Sequence, residues 1–407
     1  MSFLYHIGLY FYVFLIRFSA WCGNPKAALW IKGRQYSKAE QEELKRYRNG
    51  FLIQCSSLGE YEQGKPLIEA LRRKFPKKPL ILTFFSPSGY EAQKTNTLVD
   101  KVLYLPLDTV KKSRVFVDLL QPEKAFFIKY DFWPNLYQQL HNQGTELYLI
   151  SAIFRPNQLF FKPILGRWYK QTLRLVDRFF VQNESSKTLL ESIGLTKVEV
   201  AGDTRIDQVL NLKHEPFSDS IIEAFLANHP GKKVIILGSS WGVDEQLFLE
   251  LIQSKPNCIW IVAPHEIHQK HIETIQTCYA EFQTQTYTDF DSKSKSNILI
   301  INKIGKLKYL YRYADLAYIG GGFGVGIHNT LEPAVYGIPL LFGPNNIKFQ
   351  EAQDFKNLGL AIEVSKSTLV SGFQSQLSEE NQKIIKEKSK QFFEEKSGAV
   401  RRILEWI

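Results

Sequence analysis

What most limits the fold of this chain is an alternation, repeated from residue 51 onward, of short apolar runs with longer amphipathic stretches. Apolar runs suit strands buried on both faces, and the amphipathic stretches suit helices that carry the chain back for the next strand. Together they predict parallel β–α units. A first series places strands at Phe51–Gln54, Leu80–Phe84, Val102–Leu105, Ala125–Ile128, Leu147–Ala152, Arg178–Val181 and Val198–Val200. A second opens with "KKVIILGSS" and continues through "CIWIVAP", "NILIIN", "LAYIGGG", "IPLLFG" and "LAIEV". The polar join "NLKHEPFSDS", Asn211–Ser220, has turn formers and no strand pattern, and is the expected linker. Two series of similar size within 407 residues predict two Rossmann-like domains facing across a cleft, in an α/β chain. The expected division is an attachment segment over 1–35, a first domain over 36–210, a second over 211–385 and a helical segment over 386–407.

With 44% hydrophobic and 14% aromatic residues the chain can bury large cores without disulfides or metals. Cys22, Cys55, Cys258 and Cys278 lie far apart with no C-x-x-C pair, which argues against a zinc ribbon and for a reducing compartment. A net charge of +10 favours an anionic partner: a phosphorylated substrate, an acidic membrane surface or nucleic acid. Lys and Arg are dispersed and no recognition motif appears, so nucleic acid is not expected. The opening "MSFLYHIGLYFYVFLIRFSAWC" is apolar and aromatic, interrupted by His6 and Arg17, and is followed by Lys26, Lys32, Arg34 and Lys38. That pattern predicts membrane attachment, by spanning or by lying in the interface, with the basic cluster on the cytoplasmic side.

Ligands of open parallel sheets bind beyond the carboxyl ends of strands, so motifs there carry the chemistry. The strongest is "LAYIGGGFGVGIHNTLEPAVYGIPLLFGPNNIKF", Leu316–Phe349. Gly320, Gly321 and Gly322 allow a phosphate or sugar to approach the backbone, and Asn329, Thr330, Leu331 and Glu332 open a helix whose first N–H groups suit an anion. Glu332 is placed to accept ribose hydroxyls. The spacing is not that of an NAD site. In "QCSSLGEYEQG" an apolar run ends in small residues and then Glu60, either an ordinary first-turn acid or a catalytic carboxylate. Ser239 and Ser240 are phosphate donors or a helix cap. His265, His268 and His271 lack zincin spacing, and Asp289-x-Asp291 lies in a polar loop, so no metal is expected.

These blocks in order resemble the GT-B glycosyltransferases, and among them the Kdo (3-deoxy-D-manno-octulosonic acid) transferases of lipopolysaccharide and lipid A synthesis. The resemblance rests on "KAALWIKGR", "SSLGE" at Ser56–Glu60, "DFWPNL" at Asp131–Leu136, "QNE" at Gln182–Glu184, "GDTRID" at Gly202–Asp207, "GSSWGVDE" at Gly238–Glu245 and "HNTLEPAVYGIPLLFGP". It implies CMP-Kdo held mainly by the second domain and a lipid A precursor of the lipid IVA type approached by the first, in an inverting transfer at the cytoplasmic face of the inner membrane, with no cofactor. It places the general base at Glu60 and a cation for the leaving phosphate at Arg205, for which an ion pair with Asp203 or Asp207 is the alternative. It puts nucleotide contacts at Ala263, Pro264 and His265, at Ile304, Gly305 and Lys306, and at Gly321, Gly322 and Asn329 to Glu332. The chain departs from the family's pattern at Lys129, which replaces an assisting carboxylate whose role Asp131 partly retains. It departs again at Gln54, where a His is usual, and at Pro264, where an Arg is usual. The residues leave open another GT-B transferase, a sugar-nucleotide epimerase or a catalytically silent membrane-bound binding protein.

Overall fold

The apolar runs of the first series become β1 (Phe51–Cys55), β2 (Leu80–Phe84), β3 (Lys101–Tyr104), β4 (Lys124–Ile128), β5 (Glu146–Ala152), β6 (Arg178–Val181) and β7 (Val198–Val200). The computed structural model describes residues 2–129, 132–162 and 166–407. Among these residues the first sheet is parallel, in the order β3-β2-β1-β4-β5-β6-β7. Every residue of β1 and β2 is buried, as a parallel sheet covered by helices on both faces requires. The chain winds outward from β1 to β3 and then crosses back to β4 on the other side of β1. β1 and β4 therefore flank the point where the winding reverses, which leaves a crevice at the carboxyl ends of such sheets. Phe51 pairs with Lys124 and Gln54 with Phe127, so the segments leaving these two strands emerge side by side.

The second series gives β8 (Lys233–Ser240), β9 (Cys258–Pro264), β10 (Thr284–Thr286), β11 (Ile298–Ile300), β12 (Leu316–Ile319), β13 (Leu340–Phe342) and β14 (Ala361–Glu363). Their order, β10-β11-β9-β8-β12-β13-β14, puts the reversal between β8 and β12. β10 was not expected. It is a Thr-Gln-Thr edge strand with no apolar signature, held by pairing with β11.

The chain divides into two compact units, one running to Gln208 and completed by Lys396–Ile407, the other Val209–Glu395. The division falls inside the helix Thr204–His214, so the polar join begins as the last turn of a helix. The tail is built into the first unit. The Asp207 carboxylate accepts the N–H groups of Gly398 (2.6 Å) and Val400 (2.7 Å), which open the short helix Ala399–Leu404, and Ile403 is fully buried in the core beneath. Opening the chain, the helix Ser2–Trp21 turns Tyr5 inward, where its hydroxyl donates to Asp108 (2.7 Å), and Tyr12 stacks on Phe85. Its outward face shows Leu4, Ile7, Phe11, Phe14 and Phe18 to solvent. Among the described residues no helix is long and apolar enough to cross a membrane.

Candidate functional site

In the first unit the helix Leu58–Lys74 starts three residues after β1 and carries Glu60 in its first turn, half-buried. It lies close to the sheet because Gly64 faces β4: a Cβ there would come within 3.1 Å of the Ile128 side chain. Ser57 and Glu60 have the spacing of a reciprocal helix cap, and the chain supplies its own control. Ser37 and Glu40 share that spacing and form the complete cap, with the Ser37 hydroxyl accepting the Glu40 N–H and the Glu40 carboxylate accepting the Ser37 N–H at 2.7 Å. Ser57 caps no backbone N–H; its hydroxyl donates to the Glu60 carboxylate instead. Glu60 is thus at the end of β1, beside the reversal point, and outside the cap that would make it merely structural.

Two loops reach this end of the sheet. Gln63, one turn beyond Glu60, donates to Asp203 (3.1 Å), while its carbonyl accepts the hydroxyl of Thr204, which is also 2.9 Å from the Ser151 hydroxyl at the end of β5. Gln208 donates to Glu62 at 2.7 Å. The segment after β7 is in this way fastened to the helix that carries Glu60. Arg205, on that segment, pairs with Asp203 through Nη2 at 2.6 Å and Nε at 2.9 Å. Burial alone would raise the Asp203 pKa, but the Arg205 guanidinium and the hydrogen bonds from Arg205 and Gln63 outweigh it and hold the carboxyl below its ordinary value. The ion-pair alternative for Arg205 is therefore the arrangement present, with Asp203 and not Asp207 as partner, and the Arg205 side chain stays about 25% exposed.

Lys129 leaves β4 in the left-handed region, at φ 71°, with its N–H donating to Ile150. Asp131 lies outside the described residues. Trp133 packs on Phe85 (ring centroids 4.8 Å apart), just before the helix Pro134–Gln143, whose first N–H groups are taken by Asp108. Gln54, where the resemblance expects His, is fully buried in β1.

In the second unit the expected residues separate. Ala263 and Pro264 end β9, and the N–H of His265 donates to the Ser240 carbonyl (2.9 Å). Ser240 is fully buried and its hydroxyl donates to Glu245 (2.9 Å), so it is closed to a phosphate. Ser239, half-buried at φ 52°, is the member of that pair left at the strand end. Lys306 is engaged elsewhere: its ammonium pairs with Asp219 at 2.7 Å, after β11, on the far side of β9 from the reversal point, beside the turn of Ile304 and Gly305. The helix expected after Asn329 is the single turn Leu331–Ala334, and its first N–H is already accepted by the Asn329 side chain (3.0 Å), so it offers less to an anion than a full helix. Asn329 also donates to Glu332 (3.0 Å), and Thr330 is fully buried.

The glycine turn is tightly built. A Cβ on Gly321, which has φ 87°, would lie 2.3 Å from the Gly326 carbonyl, and one on Gly322 would strike the backbone of Gly343. Buried Asp244 fixes the turn to β8's exit, since its carboxylate accepts the N–H of Gly321 (2.9 Å), the N–H of Trp241 (3.0 Å) and the Tyr318 hydroxyl (2.5 Å). Trp241, whose sequence context suggests a packing element rather than a stacking platform, and His328, given no role of its own, stack here with His265. They come from three different strand ends, which is why no linear spacing announces them. Among the described residues no group of three or more His, Cys, Asp or Glu is arranged to hold a metal ion. His268 instead caps the helix Gln269–Cys278, and His271 meets Glu245 at 3.1 Å.

Residues 31–208, ending with the first segment of the first unit, match the family model described as 3-deoxy-D-manno-octulosonic-acid transferase (kdotransferase). A bifunctional glycosyltransferase/methyltransferase of Fusobacterium nucleatum is 25% identical over 302 residues, 72% of this chain; the match spans 46% of that longer protein, about half its length. The 3-deoxy-D-manno-octulosonic acid transferase of Chlamydia muridarum is 27% identical over 345 residues, 81% of this chain and 78% of that one. Among solved structures, a UDP-GlcNAc 2-epimerase from Neisseria meningitidis superposes with a TM-score of 0.60 at 16% identity, covering 88% of this chain and 98% of that one, a likeness of fold alone.

Proposed function

We propose that this chain is a member of the Kdo transferase family, a glycosyltransferase moving Kdo from CMP-Kdo to a lipid A precursor. The observation that carries the proposal is the position of Glu60: a half-buried carboxylate at the reversal point of the first sheet, left out of the helix cap that the same spacing forms at Ser37 and Glu40. Glu60 takes the proton of the acceptor hydroxyl as that oxygen bonds to the anomeric carbon. The bond from the anomeric carbon to the phosphate oxygen breaks, CMP departs with the electron pair, and attack from the opposite face inverts the centre. The glycine turn and Ser239 of the second unit receive the nucleotide.

The acceptor combines acyl chains with phosphates, and the first unit has a cavity of matching character. About 690 Å³ in volume, it is lined by apolar Phe14 and Trp30 and by basic Arg17, Arg34, Lys111 and Lys112. Beside it the outward face of the helix Ser2–Trp21, with Trp21 81% exposed, suits the interfacial region of a bilayer, and Lys26 and Lys32 suit its anionic headgroups. We place the protein on the inner membrane by this helix, with both units on the cytoplasmic side. Glu60→Gln should keep CMP binding while transfer falls by about 100-fold or more, the usual contribution of a general base. Turnover near wild type, measured by mass spectrometry of the acceptor, would remove Glu60 from the mechanism.

A further inference from the structure

Three rings meet at the carboxyl end of the second sheet, each from a different strand. His265 follows β9, Trp241 follows β8 and His328 follows the glycine turn after β12. β8 and β12 are the strands that flank the reversal point. The centroids of His265 and His328 are 4.3 Å apart at 22°, and those of Trp241 and His265 are 4.8 Å apart at 23°. The Trp241 indole N–H lies 3.0 Å from Nε2 of His328. An indole nitrogen only donates, so Nε2 must accept, and the neutral ring then carries its proton on Nδ1. Burial, with His265 stacked beside it, pushes the His328 pKa down to about 4. The buried Asp244 carboxylate faces the cluster through the N–H groups of Trp241 and Gly321, and so fixes the indole donor against the turn.

No described residue accepts the Nδ1 proton. His328 is half-buried, and Gly321 leaves room for its ring: a Cβ there would sit 3.3 Å from its Cδ2. We infer that Trp241 is a positioning residue that holds His328 as a neutral imidazole protonated on Nδ1, and that this N–H donates to a phosphate oxygen of the nucleotide bound at the glycine turn. The inference rests on the reading of the second unit as the donor site. A neutral donor suits a site that must release a nucleoside monophosphate after transfer, because it orients the phosphate without adding an ion pair.

The test is calorimetric titration of the full-length protein with CMP at neutral pH. An Asn side chain places its N–H near the position of Nδ1 and a Gln near that of Nε2. His328→Asn should stay within about threefold of wild type, whereas His328→Gln and His328→Ala should bind about 10- to 100-fold more weakly, the size of a hydrogen bond to a charged group. Nitrogen NMR of the wild-type ring should show the proton on Nδ1, and Trp241→Phe, which keeps an aromatic ring in the stack, should release the ring to a mixture of tautomers. Wild-type affinity in His328→Gln, or a proton on Nε2 in the wild type, overturns the inference while leaving the donor site standing. Failure of the wild type to bind CMP overturns the donor reading and the inference with it.

Discussion

Glu60 and Asp203 show how two carboxylates of one unit meet opposite surroundings. Asp203 is committed to the fold by its pairing with Arg205, and its folded pKa lies below the ordinary value for an Asp. A carboxyl with a lowered folded pKa stabilises the native state above its unfolded value, about 3.9, and that contribution is lost as pH falls through the folded value. Asp203→Asn should therefore lower stability at neutral pH and narrow the gap to wild type on acidification. Urea midpoints at successive pH values check this; parallel curves would contradict it. Among the described residues the Glu60 carboxylate meets the Ser57 hydroxyl and no cation. The opposition between Ser57–Glu60 and Ser37–Glu40 was invisible in the sequence, where both are the same S-x-x-E spacing. Whether the box closes depends on which backbone donors the oxygens reach, and spacing does not encode that.

At the scale of elements, the strands were legible because parallel strands covered on both faces are written as short apolar runs. The one that escaped, β10, is a polar edge strand fixed only by its partner. The aromatic stack escaped for a related reason: residues 241, 265 and 328 are neighbours only through strand order. Three non-glycine residues in the left-handed region, Lys129, Ser151 and Ser239, close β4, β5 and β8 at their carboxyl ends. Such backbone costs of order 1–3 kcal/mol each and tends to gather at functional ends. Ser239→Gly should raise stability by about 1 kcal/mol and weaken CMP binding if its hydroxyl meets the phosphate; unfolding and CMP titrations of one variant read both. Gly238 has the opposite reason for its identity. A Cβ there would lie 1.9 Å from the Tyr311 hydroxyl oxygen, so Gly238→Ala should destabilise by about 1–3 kcal/mol, and adding Tyr311→Phe should recover part of the loss. An additive double variant would show that the strand end relaxes some other way.

Across the whole molecule the same plan occurs twice, a parallel sheet with its reversal point at the first strand of the series; Glu60 follows that strand in the first unit and Ser239 lies at its end in the second. The tail Lys396–Ile407 belongs to the first unit, which a linear reading of a charged terminal helix did not anticipate: the carboxylate that captures it, Asp207, lies 191 residues away from Gly398. The N-terminal helix turns one aromatic stripe to the body and another outward. Replacing Phe11, Phe14 and Phe18 with Ser should abolish sedimentation with anionic vesicles while leaving CMP affinity unchanged. The central claim is a transfer made by Glu60, and one experiment reads it directly. Purified protein is incubated with CMP-Kdo and a tetraacylated disaccharide acceptor, beside the Glu60→Gln variant, and the acceptor is weighed by mass spectrometry. The account predicts a gain of one or more Kdo units with the wild type and none above background with the variant; no gain with the wild type, or equal gain with both, contradicts it.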